Sequence, residues 1–426
     1  MSASVALQHE TSPATLRRAD PWLVAALLSF ETLFVLFLMA GRYKADPRLQ
    51  SLTESISIDI TALLFGACVV GMIAVILGRK YRLSVAAPAV LASAGAFFGY
   101  AVLSLLWTPG GTYAQSKALH VGGLTAGTLA FCAVVIASRR YRVERLFAVF
   151  VAFCVWLSLE SVLYQQATGS DQSVMALGGN YLGLGRMIGA AALVALSHGL
   201  FVARPGLPRT VSITLAVAFG AVLLILGGRM PLLATAAGAL APLVIAVNLH
   251  PRDTRRWARW TYGLLLVGAL GGAAYLFAAS EAPRTLQRLM VLSDAALDSS
   301  VQGRFEHYES AVEFWWERPV FGHGIGAWPM LLLRDEVRAY PHNLVLEVLV
   351  ELGLLGLLLL AALAVCACRS LGSLKQIAAD PLRMTILMLL VNALCNALVS
   401  GDLADNRFLF AILGLACLPR CRKDKP

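Results

Sequence analysis

Between Pro21 and Leu418 the sequence keeps returning to apolar runs of about twenty residues, broken only by short polar stretches. As a helix, a run of that length crosses roughly 30 Å of hydrocarbon. With 58% hydrophobic and 14% charged residues and a mean hydropathy of +0.72, the chain has too little polar surface for soluble domains. Backbone in lipid has no water to bond to, so it must close its hydrogen bonds within a helix or a barrel. The runs are too long and too uniformly apolar for the alternating strands of a barrel. The expected class is therefore all-α: a polytopic membrane protein of about 12 transmembrane helices. Spans are expected near 21–40, 58–78, 85–106, 119–138, 145–165, 187–203, 210–227, 231–248, 260–279, 343–368, 383–400 and 407–418. The first sixteen residues are not basic enough, and lack the small-residue cleavage site, for a removable signal peptide.

Net charge is +10, but in a membrane protein the placement of Lys and Arg says more than their total. One set of connections, with the two terminal segments, holds 22 of the 35 Lys and Arg residues. By the positive-inside rule that side is cytoplasmic, both termini included, and nucleic acid is not the expected partner. All eight cysteines fall in spans or in the cytoplasmic tail, so no disulfide framework is expected. Division follows as residues 1–279 for nine transmembrane helices, 280–341 for one large periplasmic loop, and 342–426 for three more helices and the tail. The loop should contain short helices. One is read at Arg284–Leu297 and another at Gln302–Glu317, the second ending in Trp315 and Trp316, with Pro319 and the glycines of Gly322–Gly326 breaking it.

Ionisable groups at span ends are costly unless paired or facing a cavity. Arg186, Arg229, Arg304, His342, Asp402, Asp405 and Arg407 all fall on the side opposite the basic loops. Isolated arginines with a histidine at one face suit a phosphorylated or pyrophosphorylated ligand, because guanidinium binds such oxygens bidentately and keeps its charge when partly desolvated. The competing reading for each arginine is snorkelling to headgroup phosphates. His342 can take a proton or orient a hydroxyl, with Asn343 as neighbouring support; periodicity alone does not rank His307 or His323 below it. Glu347 and Glu351, at i, i+4, read as structural, with a proton or cation path as the alternative. Asp402 and Asp405 lack the tight spacing that holds a divalent ion against a diphosphate, and there is no Walker loop or dinucleotide fingerprint. No metal and no cofactor is expected, so the energy for any reaction must arrive in an activated substrate.

Three motifs in order, Gly227-Gly228-Arg229-Met230-Pro231, then Gly303-Arg304 with Pro319-Val320-Phe321-Gly322-His323-Gly324-Ile325-Gly326, then Pro341-His342-Asn343 running to Glu351-Leu352-Gly353, make this sequence resemble the O-antigen ligase and polymerase superfamily. Gly228 stands where that family has a small hydroxyl residue. The resemblance implies a metal-independent, inverting glycosyltransferase in the bacterial inner membrane. It would take a glycan from undecaprenyl diphosphate on the periplasmic side and pass it to the lipid A core oligosaccharide. Arg186, Arg229 and Arg304 would bind the diphosphate and His342 would activate the acceptor hydroxyl, with Asp402 and Asp405 in support. Related branches polymerise O-antigen or glycosylate protein. A transporter of a lipid-linked or anionic solute is the alternative of another class; the sequence lacks the matching halves of such folds, and its single one-sided loop suits an enzyme better.

Overall fold

A computed structural model describes residues 29–46, 48, 59–78, 81, 83–168, 174–249, 285–286 and 299–420. Those residues form helices and connections, with no strand among them. The span expected at 260–279, the start of the first span and all but two residues of the helix expected at Arg284–Leu297 lie outside the described residues.

The helices are α1 (Phe30–Met39), α2 (Ile60–Leu77), α3 (Ala87–Leu103), α4 (Thr112–Ile136), α5 (Arg140–Thr168), α6 (Tyr181–Val202) and α7 (Leu207–Leu226). After these come α8 (Arg229–Leu249), α9 (Ser299–Glu317), α10 (Trp328–Leu332), α11 (Leu344–Leu371), α12 (Leu374–Ala379), α13 (Pro381–Ala397) and α14 (Arg407–Leu415). Seven of them, α2 to α7 and α11, are long and apolar enough to cross a membrane. Helices α1, α8, α13 and α14 also lie at expected spans but are shorter or less apolar. The protein is thus a multi-pass membrane protein.

Burial distinguishes the helices. In α6 an almost continuous set, Gly183 to Ala195, is buried, whereas α2 shows little but Thr61 and Cys68 to the interior. A helix apolar all round and exposed faces lipid; one buried all round is the bundle's axis. Small residues on α6 allow that central position: a Cβ on Gly185 would lie 3.0 Å from Pro231 of α8, and one on Gly238 of α8 would lie 2.7 Å from the Met388 carbonyl of α13. The seven described cysteines are all free.

The bundle has two ends. At one, Arg140 donates to both oxygens of Asp380 at 2.7 and 2.6 Å, and Arg383 donates to the carbonyls of Ser370, Leu371 and Leu418, tying α5, α11, α13 and the end of α14 together. At the other end lie the connections that carry Arg42, Arg338, His342 and Asp402. Helix α9, read from the sequence as beginning near Gln302, begins at Ser299, so Arg304 sits in its second turn.

Helix α11 is broken at Gly353, with φ 66° and ψ −167°. Backbone opened inside a membrane must be satisfied from elsewhere, and the glycine loop after α9 does this. His323 and Gly324 donate to the carbonyls of Val350 and Glu351 at 2.9 and 2.7 Å, while Leu354 and Leu355 donate back to those of Pro319 and Val320 at 2.8 and 3.1 Å. Tyr100 of α3 adds its hydroxyl to the carbonyls of Phe321 and Leu352 at 3.0 and 3.1 Å. Gly322 has φ 70°, and a Cβ there would sit 2.5 Å from the Glu351 backbone, so the approach requires glycine. The loop is ordered by this pairing and carries α9 and α10 over the His342 end.

Candidate active site

Helix α6 begins with Asn180, whose side chain accepts from the Gly183 amide at 2.7 Å, and the following turns bring Arg186 inward. Arg186 is 8% exposed and its Nε is buried without a hydrogen-bond partner. Its guanidinium lies against the hairpin between α13 and α14: a Cβ on Gly401 would be 2.9 Å from Nη1. A second arginine arrives from the turn after α1. Arg42 rests on the bare backbone of Gly183, where a Cβ would be 2.5 Å from its Cζ. Arg407 opens α14 with its guanidinium 5.6 Å from the centre of the Phe37 ring and its Nη1 buried and unpartnered.

Across from these stands the turn leading into α11. Asn343 caps the helix, accepting from the amides of Val345 and Leu346 at 2.9 and 3.2 Å, so its side chain is committed to structure. His342 just before it has φ 60°, a left-handed backbone that costs a non-glycine residue about 1 to 2 kcal/mol. Its ring packs on Tyr340 at 4.5 Å and lies 5.9 Å from the ring of His307 on α9. The Nδ1 atom is buried with no partner. Burial lowers the His342 pKa from 6.5 to about 4, and the neighbouring Arg304, His307 and Arg186 add to the lowering. At neutral pH the imidazole is therefore uncharged and can accept a proton.

The acidic residues of this end have other tasks. Asp402 accepts from the Asp405 amide at 2.6 Å, shaping the hairpin, and both carboxylates take Arg338, at 3.3 and 2.6 Å. Those two partners raise the Arg338 pKa against the effect of its burial. Glu347 and Glu351 both hold Lys117 of α4, each at 2.7 Å, all three side chains being nearly inaccessible. Glu347 also accepts from the Leu403 amide at 3.1 Å. This locks α4, α11 and the hairpin together, in keeping with the structural reading of the acidic pair. His323 is likewise occupied, its Nε2 2.8 Å from the Phe314 carbonyl.

Of the residues singled out in the sequence, the structure brings Arg186, Arg304, His342, Asp402 and Asp405 to one end of the bundle. Arg229 starts α8 at that end too, on the Gly227–Gly228 corner that abuts Tyr181 and the Pro231–Gly185 contact of α6. Sequence reasoning did not single out Arg42, Arg338 or Lys117. The first two lie in connections between spans, where a charge is unremarkable; Lys117 lies just ahead of the apolar run read as 119–138 and looked like its polar flank.

Three arginines and a neutral histidine, with buried nitrogen atoms still lacking acceptors, form a site suited to an anionic ligand carrying several oxygens. Residues 213–361, 149 of the 426, match the family described as O-antigen ligase. No curated protein matches the chain. The matched stretch contains Arg229, Arg304, the glycine loop, His342 and the break at Gly353, and the match supports the O-antigen ligase and polymerase superfamily and a glycosyl-transfer function in a membrane.

Proposed function

We propose that this protein moves an O-antigen glycan from undecaprenyl diphosphate to a sugar hydroxyl of the lipid A core, on the periplasmic face of the inner membrane. The observation that carries the reading is the group of unpartnered buried nitrogens, Arg186 Nε, Arg407 Nη1 and His342 Nδ1, at the end where Arg42 and Arg304 also converge. Arg186 and Arg304, with Arg42, Arg407 and Arg229, would hold the diphosphate and stabilise the charge that builds on it as it leaves. The bond from the anomeric carbon to phosphate oxygen breaks, the acceptor oxygen bonds to that carbon from the opposite side, and the hydroxyl proton passes to His342. Configuration inverts in such a single displacement. In this reading arginine supplies the charge that a divalent ion supplies elsewhere, and transfer is metal-independent.

The low basicity of His342 has a function here. Buried and flanked by cationic side chains, its imidazole is a weak base; a diphosphate seated beside it reverses the sign of the local charge and raises its proton affinity. The base becomes competent when the donor is bound. Two features support an enzyme over a transport path: Glu347 and Glu351 are closed around Lys117, and the site lies at one end of the bundle. The test is transfer by the purified protein in nanodiscs containing undecaprenyl-diphosphate glycan, with lipid A core as acceptor and chelator present. Mass gain on the core is expected. Gain on the lipid-linked glycan itself would make the protein a polymerase, and dependence on Mg²⁺ would overturn the arginine mechanism.

A further inference from the structure

The end of the bundle away from His342 contains a cavity of about 670 Å³, lined among others by Ser84, Arg139, Arg140, Arg369, Arg383 and Arg420. It lies where α3 begins and where α4, α5, α11 and α13 end or start. Asp380 pairs with two of these arginines, Arg140 and, at 3.4 Å, Arg383. Arg383 also donates to three backbone carbonyls. Arg139, Arg369 and Arg420 have no acidic partner among the described residues, and the Ser84 hydroxyl there is buried without a hydrogen-bond partner. Three cationic side chains, from α11, the connection before α5 and the segment after α14, thus line one hollow with no carboxylate paired to them among the described residues.

Across Arg140 lies a second cavity of about 460 Å³ between α5, α6, α7 and α13, whose walls are mostly apolar and include Phe147, Val151, Val194 and Leu215, with Glu144 and His198 among the polar members. One cavity is cationic and at the level of the helix ends; the other is apolar and lies deeper among the helices. Their shared wall is Arg140, whose guanidinium Asp380 holds to one side. A ligand that fits both has an anionic head with several oxygens and a hydrocarbon tail.

We infer that this paired cavity is a binding site for an anionic phospholipid, with the phosphate among Arg139, Arg369 and Arg420 and one acyl chain along Phe147 and Leu215. The site is at the bundle end opposite the glycosyl-transfer site, so it holds lipid of the other leaflet and is separate from the donor's entry. Basic residues scattered along helix ends draw anionic lipid weakly and without saturation; a built pocket retains one molecule through purification.

The test is native mass spectrometry of the full-length protein released from detergent, with cardiolipin, phosphatidylglycerol or phosphatidylcholine added in turn. The wild-type protein should retain an anionic phospholipid, and phosphatidylcholine should not replace it. Arg139→Ala/Arg369→Ala/Arg420→Ala should weaken retention by roughly tenfold or more, since each basic side chain near an anionic headgroup counts severalfold in affinity. Val194→Trp, which fills the apolar cavity while sparing every charge, should displace the lipid as well. If inorganic phosphate at millimolar concentration competes and Val194→Trp has no effect, the ligand is a soluble phosphate compound and the lipid assignment is wrong. Equal retention by the triple variant, in protein shown to be monodisperse, would reduce the arginines to determinants of topology.

Discussion

At the scale of single residues, the site depends on what glycine leaves out and what histidine tolerates. Arg42 reaches the site across the backbone of Gly183, and its guanidinium is the flexible end that would have to yield to any added side chain. Gly183→Ala should therefore lower transfer by about tenfold while the melting temperature changes little, since one charge-assisted contact in a partly desolvated site is worth roughly 1.5 to 3 kcal/mol. Arg186→Ala should cost ten- to a hundredfold in donor affinity, with Lys restoring only part because it lacks the planar fork. Unchanged donor binding in both variants would take Arg42 and Arg186 out of the diphosphate site. His342 must be replaced with its backbone in mind. Asn accepts left-handed φ better than Ala, so His342→Asn should fold, bind donor and lose about a hundredfold or more in rate.

The His342 pKa gives a pH signature. In the free protein it is about 4 against an ordinary 6.5, so the neutral imidazole's contribution to stability is complete above pH 6.5 and is lost as pH falls toward 4. For the same reason kcat/KM, which reports the free enzyme, should stay flat from about pH 5.5 to 8. The kcat profile, which reports the donor complex, should show its acid limb at higher pH. Coincident limbs would show that the bound diphosphate does not act on His342. The lone arginines and His342 could be read from the sequence, because a charge at a span end is conspicuous against lipid. Arg42 and Lys117 could not, because their significance lies in what they meet across the fold.

At the scale of elements, two contacts hold the site. The first is the break in α11. Gly353 has a backbone that only glycine adopts readily, and Gly353→Ala should cost several kcal/mol and abolish folded protein in detergent, as seen by size-exclusion profile. Gly303→Ala, in α9 with open space beside it, should be neutral or mildly stabilising by up to about 1 kcal/mol. The second is Lys117. Lys117→Met strands two carboxylates in the interior and should destabilise by about 3 to 5 kcal/mol, whereas adding Glu347→Gln and Glu351→Gln should recover much of that loss in a thermal melt. Failure of the triple variant to recover would mean that the charges themselves are needed. That the glycines of 322–326 end α9 is visible from composition. That they repair a gap thirty residues further on is not, since the pairing is backbone to backbone and leaves no periodicity.

At the scale of the molecule, lipid as solvent made the class legible: length, apolar content and the helix positions all follow from one requirement on backbone hydrogen bonds. The basic loops predict a sidedness, and it is open to direct measurement. Alkaline phosphatase fused after Gly401 should be active, and fused after Leu374 inactive. The reverse pattern would put His342 in the cytoplasm and end the proposed donor chemistry. In the proposed function the bundle would separate its tasks by end, with the arginines and His342 at one and the arginine-lined cavity at the other.

The gap in α11 has a consequence for biogenesis. Residues 319–326 are synthesised before residues 350–355, so the glycine loop has no partner until that part of α11 is made, and the carbonyls and amides opened at Gly353 are met only when the two are joined. Insertion of that helix and closure of the loop are therefore a single event, occurring late in synthesis. Any chain released before Leu355 leaves the translocon without its transfer site assembled.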